Sequence, residues 1–211
     1  MPDYSIEERI LAKNGGPIAG VDEVGRGPLA GPVLAAAVIL DPNRIPEGLN
    51  DSKKLTMRAR EKLFARIMEM AFIGVGQASV DEIDRLNIRR ATHLAMARAV
   101  GTLSEKPVFA IIDGNDPPAL SCPCDTMIGG DGRSVSIAAA SIIAKVTRDR
   151  LMVRLHEDHP GYGWRTNMGY GTKEHLEGLQ KFGVTLHHRK SFAPVYQMLW
   201  PVNPGDSILK A

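Results

Sequence analysis

The apolar residues near the N-terminus follow the pattern of short β-strands. Residues 17–24 and 31–40 are mainly apolar runs of Val, Ile, Leu and Ala, bounded by glycine or proline. Between them stands Gly25-Arg26-Gly27-Pro28, whose glycines and proline favour a tight turn over regular structure. The pattern therefore predicts two strands joined by a short irregular connection.

Further along the chain the apolar positions take up helical spacing. Residues 57–71 place apolar side chains on one helical face, namely Leu63, Phe64, Ile67, Met68 and Ala71. The elements predicted after this helix are a strand at 72–80, a helix at about 87–103, a buried strand at 108–112, a long helix capped by Ser134 and running to about residue 156, and a helix at about 173–181. Two early strands followed by alternating helices and strands favour an α/β sheet covered by helices.

Composition agrees with a globular protein that has an ample core. Of 211 residues, 44% are apolar and 24% are charged, which is ordinary for one soluble domain. We expect a single domain over 1–211, with its core at about 17–160 and a small C-terminal helical segment at about 161–211. No apolar run approaches the roughly 18 residues that span a membrane, and the N-terminus does not have the pattern of a signal peptide.

The two cysteines predict a reducing compartment. Cys122 and Cys124 are separated only by Pro123, so a disulfide between them would be strained. We expect two free thiols in a cytoplasmic protein.

Net charge is only +2, but its distribution is uneven. Residues 145–190 carry nine Lys and Arg against five Asp and Glu, together with five of the six histidines. Such a region suits phosphate binding, and it is also compatible with an ordinary solvated face. Charge alone therefore leaves the partner open.

Four acidic residues stand where predicted strands or helices begin or end: Asp22, Glu23, Asp113 and Asp131. Ligand sites of α/β sheets gather at strand ends, so these acids are expected to converge. Neighbouring residues of a strand point to opposite faces, so Asp22 and Glu23 reach one site only if the strand bends at Glu23. Clustered carboxylates repel one another unless cations neutralise them, and oxygen ligands favour Mg²⁺ or Mn²⁺. Asp131 is also suited to helix capping, and Asp113 to a turn.

Six segments, in order, resemble the motifs of the ribonuclease HII family. They are GVDEVGRGPLAGPV at 20–33, DSKKL at 51–55, IDGN at 112–115, GD at 130–131 with IAAASIIAKVTRD at 137–149, GYGTKEH at 169–175, and HRKSF at 188–192. The resemblance spans about residues 17–196. It departs from the family pattern at Thr56, where Ser is frequent, and at Gly130, where Lys is common.

The resemblance implies a fold, an activity and a cofactor. The fold would be ribonuclease H-like, a mixed central sheet flanked by helices with a small C-terminal helical segment. The activity would be endonucleolytic hydrolysis of the RNA strand of RNA–DNA hybrids, including cleavage 5′ to single ribonucleotides embedded in duplex DNA. Two-metal-ion catalysis with Mn²⁺ or Mg²⁺ would leave 3′-hydroxyl and 5′-phosphate ends.

The resemblance also implies roles for individual residues. Asp22, Glu23, Asp113 and Asp131 match the four catalytic, metal-binding acids, with Asp22 bridging both ions. Gly25, Arg26 and Gly27 match the motif that reads the ribose 2′-hydroxyl through its backbone, where glycine permits close approach of a sugar. The remaining matches are Tyr170, which would stack on the deoxyribose beyond the RNA–DNA junction, and the expected phosphate contacts Lys53, Lys54, Ser134, Lys145 and Arg148.

Other interpretations stay open at this stage. A DNA-cutting nuclease of the same superfold would share the acids, and a non-catalytic hybrid-binding protein would share the substrate motifs. His175 and His188 are expected to hydrogen-bond structurally, and Tyr162 and Trp164 to pack the loop at 158–171. We expect a monomer that binds RNA–DNA hybrids or duplex DNA with embedded ribonucleotides, without a membrane and without a clamp-binding motif in residues 197–211.

Overall fold

Five strands form one mixed sheet in the computed structural model, which describes residues 1–201. The strands are β1 (Ile18–Val24), β2 (Val33–Leu40), β3 (Ala71–Ala78), β4 (Phe109–Asp113) and β5 (Cys124–Met127). Their order across the sheet is β3-β2-β1-β4-β5. β2 is antiparallel to both β1 and β3, whereas β1, β4 and β5 run parallel to one another. The parallel pairing brings the carboxyl ends of β1 and β4 to the same edge of the sheet.

Helices cover both faces of this sheet, as predicted. They are α1 (Ser5–Asn14), α2 (Met57–Met70), α3 (Val80–Leu86), α4 (Ile88–Gly101), α5 (Val135–Asp158), α6 (Trp164–Asn167), α7 (Lys173–Phe182) and α8 (Ala193–Leu199). Short 3-10 turns stand at Gly130–Gly132 and Pro160–Tyr162. No helix in residues 1–201 is long and apolar enough to cross a membrane.

β2 shows why the sheet needs a helical layer on each side. All eight of its residues, VLAAAVIL, are buried. The odd-numbered ones pack with α4 in one core cluster, and the even-numbered ones pack with α2 and α5 in another. A strand buried on both faces reads as a continuous apolar run, because neither face meets water.

Glycines let two helices lie directly on the strands. A Cβ on Gly20 would stand 2.2 Å from the carbonyl carbon of Ser136 in α5, and one on Gly76 would stand 2.3 Å from the carbonyl oxygen of Ala95 in α4. Neither approach is possible for a larger residue without moving a helix. The contact at Gly20 holds α5 against β1, two residues before Asp22.

The sequence pattern did not predict every short element or its bounds correctly. α1 and β5 were not predicted, and α8 falls within the expected C-terminal helical segment, although its bounds were not predicted. The strand predicted at 72–80 ends at Ala78 because Ser79 and Glu82 form a capping box that starts α3. Met68 was expected on the buried face of α2, but it is 53% exposed. Each of these segments is too short or too weakly periodic for its own pattern to specify it.

A satellite core holds the C-terminal segment in place. Trp164 and Tyr162 are buried and stack 5.0 Å apart, which confirms the predicted packing role. The Nε2 atoms of His175 and His188 lie 3.1 Å apart, and burial lowers the pKa of His188 to about 3, so both rings serve as neutral, hydrogen-bonded core groups. Residues 202–211, which include most of the tail expected to lack a clamp-binding motif, lie outside the described residues.

Candidate active site

Three aspartates converge at the edge of the sheet where β1 and β4 end. Asp22 is in β1, Asp113 is the last residue of β4, and Asp131 is in the 3-10 turn that precedes α5. One carboxylate oxygen from each lies within 4.8 Å of the others. We call these three residues the acid cluster. The predicted convergence of Asp22, Asp113 and Asp131 is therefore present in the structure.

Backbone and hydroxyl groups fix the orientation of the acid cluster. The N–H of Gly130 donates to Oδ1 of Asp113 at 2.7 Å, which ties the turn of Asp131 to the end of β4. Ser141 of α5 lies beside Asp22 and hydrogen-bonds with Ser52, with 2.7 Å between their Oγ atoms. Sequence reasoning assigned no role to Ser52 or Ser141, although both lie inside motifs that it recognised.

Burial and mutual repulsion make the acid cluster unfavourable without a cation. Asp22 is only 7% exposed and Asp131 only 8%. Burial, followed by the charges of Glu23 and Asp113, raises the pKa of Asp22 well above its ordinary value. Burial and the neighbouring carboxylates Asp113 and Asp51 likewise raise the pKa of Asp131. A bound cation would reverse these shifts by favouring the ionised carboxylates.

Glu23 stands beside the acid cluster rather than within it. β1 stays paired with β2 through Val24, with Glu23 opposite Ala35, so the strand pairing is not interrupted at Glu23. The ladder keeps Glu23 extended, and its Oε1 lies 3.5 Å from Nη1 of Arg26. Burial raises the pKa of Glu23, Arg26 opposes that rise, and Asp113 adds to it. Glu23 thus lies at the rim of the site, close enough for the charge of Asp113 to raise its pKa.

The lysine loop (residues 51–55) lies over the same edge. Burial lowers the pKa of Lys53, but the surrounding carboxylates, led by Asp22 and Asp131, outweigh that effect and raise it. Lys54 reaches Asp51, with Nζ 3.9 Å from Oδ2, and its side chain remains 65% exposed. Both ammonium groups are therefore available beside the acids, where sequence analysis expected them.

The Gly-Arg-Gly turn (residues 25–27) continues directly from β1. A Cβ on Gly27 would stand 3.4 Å from the ring of Tyr170, which is 48% exposed. Gly25 has φ +92°, and a Cβ there would stand 2.2 Å from Nε of Arg148 inside the protein. Glycine at 25 is thus required by the backbone and by Arg148, whereas the predicted reason, an approaching sugar, remains available only at the exposed Gly27.

Two predicted phosphate contacts conflict with the structure. Ser134 is fully buried, and its hydroxyl caps α5 while donating to Glu7. Arg148 is 1% exposed and donates to backbone carbonyls. Both side chains are sealed from solvent by the packing of α5, so neither reaches a phosphate. Lys145 is partly buried and pairs with Asp149 at 2.7 Å.

The donor set of the acid cluster suits a hard divalent cation. It offers only carboxylate oxygens, which favour Mg²⁺ or Mn²⁺ over soft metals. The high cost of holding these acids ionised together is the physical reason that a cation would bind here.

A family comparison decides what kind of site this is. The family model for Ribonuclease HII matches residues 19–195, which include the acid cluster, the lysine loop and the Gly-Arg-Gly turn. The chain belongs to the ribonuclease HII family. A Ribonuclease HII of Ruegeria pomeroyi is 62% identical over 94% of this chain and 86% of its own length. One of Jannaschia sp. is 59% identical over 94% of this chain and 98% of its own length.

Solved structures of the ribonuclease HII family share the fold. The ribonuclease H2 of Pyrococcus horikoshii superposes with a TM-score of 0.75 at 26% identity, covering 87% of this chain and 97% of that one. An RNase HII of Archaeoglobus fulgidus, solved in complex with PCNA, has a TM-score of 0.72 at 26% identity, covering 89% and 96%. The predicted ribonuclease H-like fold is confirmed.

Membership of the ribonuclease HII family establishes the activity. The chain is a ribonuclease H, a metal-dependent endonuclease that hydrolyses the RNA strand of RNA–DNA hybrids. The acid cluster is the group of residues that could hold its metal.

Proposed function

We propose that this ribonuclease cleaves 5′ to ribonucleotides, including single ones embedded in duplex DNA, and leaves 3′-hydroxyl and 5′-phosphate ends. The supporting observation is the continuity of the chain from Asp22 to Gly27. β1 runs into the Gly-Arg-Gly turn without interruption. The backbone that would contact the ribose is therefore only a few residues away from Asp22, an acid of the metal site. Recognition of the sugar would therefore place the adjacent phosphate over the acids.

The metal would be held by Asp22, Asp113 and Asp131, with Glu23 completing the set from the rim. When bound, two Mg²⁺ or Mn²⁺ ions would supply charge neutralisation of the phosphate and activation of the attacking water. Asp22 is central to this proposal, because it is buried between the other acids and is oriented by the N–H of Glu23, which donates to its Oδ1 at 2.7 Å.

The remaining residues would position the substrate. The exposed Tyr170 ring beside Gly27 offers a flat face for the sugar beyond the RNA–DNA junction. Lys53 and Lys54 would hold the phosphates, since both ammonium groups lie exposed beside the acid cluster. Lys145 would bind a phosphate only if its ammonium group left the carboxylate of Asp149.

We also propose that the chain acts as a monomer in the cytoplasm. All the residues assigned above come from one chain, so no second copy is needed to complete the site. The expected single domain with its core at about 17–160 is consistent with this arrangement.

The first experiment compares three labelled duplexes: an RNA–DNA hybrid, a DNA duplex with one ribonucleotide, and an all-DNA duplex. Cleavage is followed with Mg²⁺, with Mn²⁺ and with a chelator. We expect the first two substrates to be cut, the second at the phosphate 5′ to the ribonucleotide, and only with a metal. Equal cutting of the all-DNA duplex would instead support a DNA nuclease of the same superfold.

The second experiment tests the acid cluster. Asp22→Asn should lower turnover by at least about a thousandfold while changing hybrid binding less than about tenfold, because the acid acts on the chemical step. Asp125→Asn is the matched control, since Asp125 is an exposed aspartate of β5 outside the cluster. Near wild-type cleavage by Asp22→Asn would exclude the proposed role of the cluster.

A further inference from the structure

A buried arginine holds the Gly-Arg-Gly turn from behind. Arg189 has no exposed surface, although it carries a guanidinium group. That group donates from Nη2 to the carbonyl of Gly25, from Nη1 to the carbonyl of Arg26 at 2.8 Å, and from Nε to the carbonyl of Gly31 at 2.9 Å. Three carbonyls in and just after the turn thus point at a single side chain.

The backbone on both sides of Arg189 strengthens this attachment. Its own N–H donates to the carbonyl of Leu29 at 2.8 Å, and the N–H of Gly31 donates to the carbonyl of His187 at 2.9 Å. The segment 187–189 therefore forms a small bridge to residues 29–31. Arg189 reaches the turn from a backbone that is itself anchored.

A second buried arginine braces the neighbouring backbone. Arg148 of α5 donates to the carbonyls of Pro32 at 3.1 Å, Met168 at 2.9 Å and Ala30 at 3.1 Å. Met168 lies two residues before Tyr170, so Arg148 links the strand side of the turn to the segment that carries the aromatic ring. The two arginines together bind six carbonyls.

Holding a loop with two buried guanidinium groups lowers the stability of the fold. Burial lowers the pKa of Arg189 to about 9 and that of Arg148 to about 10, and the charge of Arg148 contributes to the shift of Arg189. Both groups stay charged at neutral pH, and none of their hydrogen bonds described above goes to a carboxylate. Burying a cation against neutral carbonyls costs stability that packed apolar side chains would not cost. What a guanidinium offers in return is a rigid planar fork of donors.

The peptide geometry shows what that fork accomplishes. In a planar trans peptide, the C=O and the following N–H point in opposite directions. Since Arg189 draws the carbonyls of Gly25 and Arg26 into the protein, the N–H groups of Arg26 and Gly27 must point away from it. Both of these residues are exposed, and Gly27 lies beside the ring of Tyr170. The turn thereby presents two fixed backbone donors.

We propose that Arg189 is a positioning residue for sugar specificity: it fixes the peptide planes of the Gly-Arg-Gly turn so that the N–H groups of Arg26 and Gly27 face the ribose 2′-oxygen. The inference rests on the proposed function, in which this turn reads the sugar. Arg148 supports the same geometry from α5. Arg189 does not touch the substrate.

The test compares two DNA duplexes that differ only at the target nucleotide, which carries either a 2′-hydroxyl or a 2′-fluorine. Single-turnover cleavage is measured with excess enzyme for the wild type, for Arg189→Lys and for Arg165→Lys, in which an exposed arginine of α6 serves as the control. We expect Arg189→Lys to lower the ratio of the two rates at least about tenfold, through a slower rate on the 2′-hydroxyl substrate. An ammonium group lacks the fork that orients two peptides at once. The control should keep the wild-type ratio.

Three results would count against the proposal. A wild type that does not prefer the 2′-hydroxyl substrate would overturn the proposed function, and the inference with it. A wild type that prefers it and an Arg189→Lys variant that keeps both wild-type rates would overturn the inference alone. An equal loss of rate on both substrates would show that Arg189 is merely structural. If thermal melting shows that Arg189→Lys does not fold, Arg189→Gln is assayed, because it buries no charge and its single amide nitrogen lacks the fork that holds two peptides at once. The ratio of the two rates is again expected to fall, and an unchanged ratio would overturn the inference.

Discussion

Asp22 is suited to the chemistry of the acid cluster, but its charge lowers the stability of the folded protein. Asp22 is buried beside Glu23 and Asp113, and its pKa is raised well above the ordinary value of about 3.8. Because this pKa is higher in the folded than in the unfolded chain, protonation of Asp22 favours folding. The stabilisation is complete below about pH 3.8 and is lost as the pH rises through the raised pKa. At neutral pH the metal-free site therefore opposes folding.

We predict that Asp22→Asn stabilises the metal-free protein. At pH 8 with a chelator, the free energy of unfolding of the variant should exceed that of the wild type by about 1–3 kcal/mol, because an amide carries no charge to desolvate. Thermal melting from pH 5 to pH 9 should show wild-type stability falling relative to the variant as pH rises. Added Mg²⁺ should raise the melting temperature of the wild type much more than that of the variant. A variant less stable than the wild type at pH 8 in chelator would show that repulsion in the cluster is not costly.

At the scale of elements, α1 supports the acid cluster from outside the segment that the family model matches. Glu7 of α1 is fully buried, and its Oε1 accepts from the hydroxyl of Ser134 at 2.5 Å and from the N–H of Ser136 at 2.9 Å. A carboxylate at the N-terminus of α5 satisfies free backbone donors and is favoured by the helix dipole. The turn that carries Asp131 directly precedes this point, so α1 helps to fix it.

Glu7→Ala should therefore weaken the fold and the metal site together. We expect a loss of about 2–3 kcal/mol in urea denaturation, because buried donors of Ser134 and Ser136 lose their charged acceptor. Glu7→Gln, which keeps an acceptor oxygen, should lose less. Glu8→Ala is the control on the same helix, since Glu8 is exposed. Equal effects of the two alanine variants would remove Glu7 from this role.

At the scale of the whole molecule, the structure redistributes the charge that composition suggested. Residues 145–190 hold nine basic residues, but two of them, Arg148 and Arg189, are buried against backbone carbonyls. The region is therefore a weaker phosphate-binding surface than its composition indicates. The exposed lysine loop, which lies beside the acids, is the better candidate for salt-dependent binding of nucleic acid.

This assignment predicts the salt dependence of hybrid binding. Binding of an RNA–DNA hybrid is measured in the Asp22→Asn background, which prevents cleavage. The logarithm of the association constant should fall linearly with the logarithm of salt concentration. Replacing both Lys53 and Lys54 by Ala should reduce that slope by about 2, since each lysine neutralises roughly one phosphate. Lys106→Ala, which alters an exposed lysine before the start of β4, should leave the slope unchanged. An unchanged slope in the double variant would exclude the lysine loop as the phosphate-binding segment.

Much of the site was predictable because its residues lie in short, continuous motifs. Asp22 lies two residues before the end of β1, Asp113 ends β4 and Asp131 precedes α5, and such positions meet at one edge of an α/β sheet. The predictions for Ser134 and Arg148 were wrong, because a polar side chain at the start of a long helix or within it can face either solvent or core, and local pattern does not distinguish the two. Arg189 received no role because it lies in a loop between α7 and α8, where the local pattern does not show which side chains the fold buries.

The sequence by itself determined the order of the main strands and helices, the residues of the acid cluster and the family, since each depends on patterns that are local along the chain. Tertiary structure decided which polar groups are buried and what they contact. Glu7 meets Ser134, and Arg189 meets Gly25, although each pair lies far apart in the sequence. Such contacts arise only when packing brings distant segments together, and burial then converts an ordinary charged side chain into one that fixes backbone geometry.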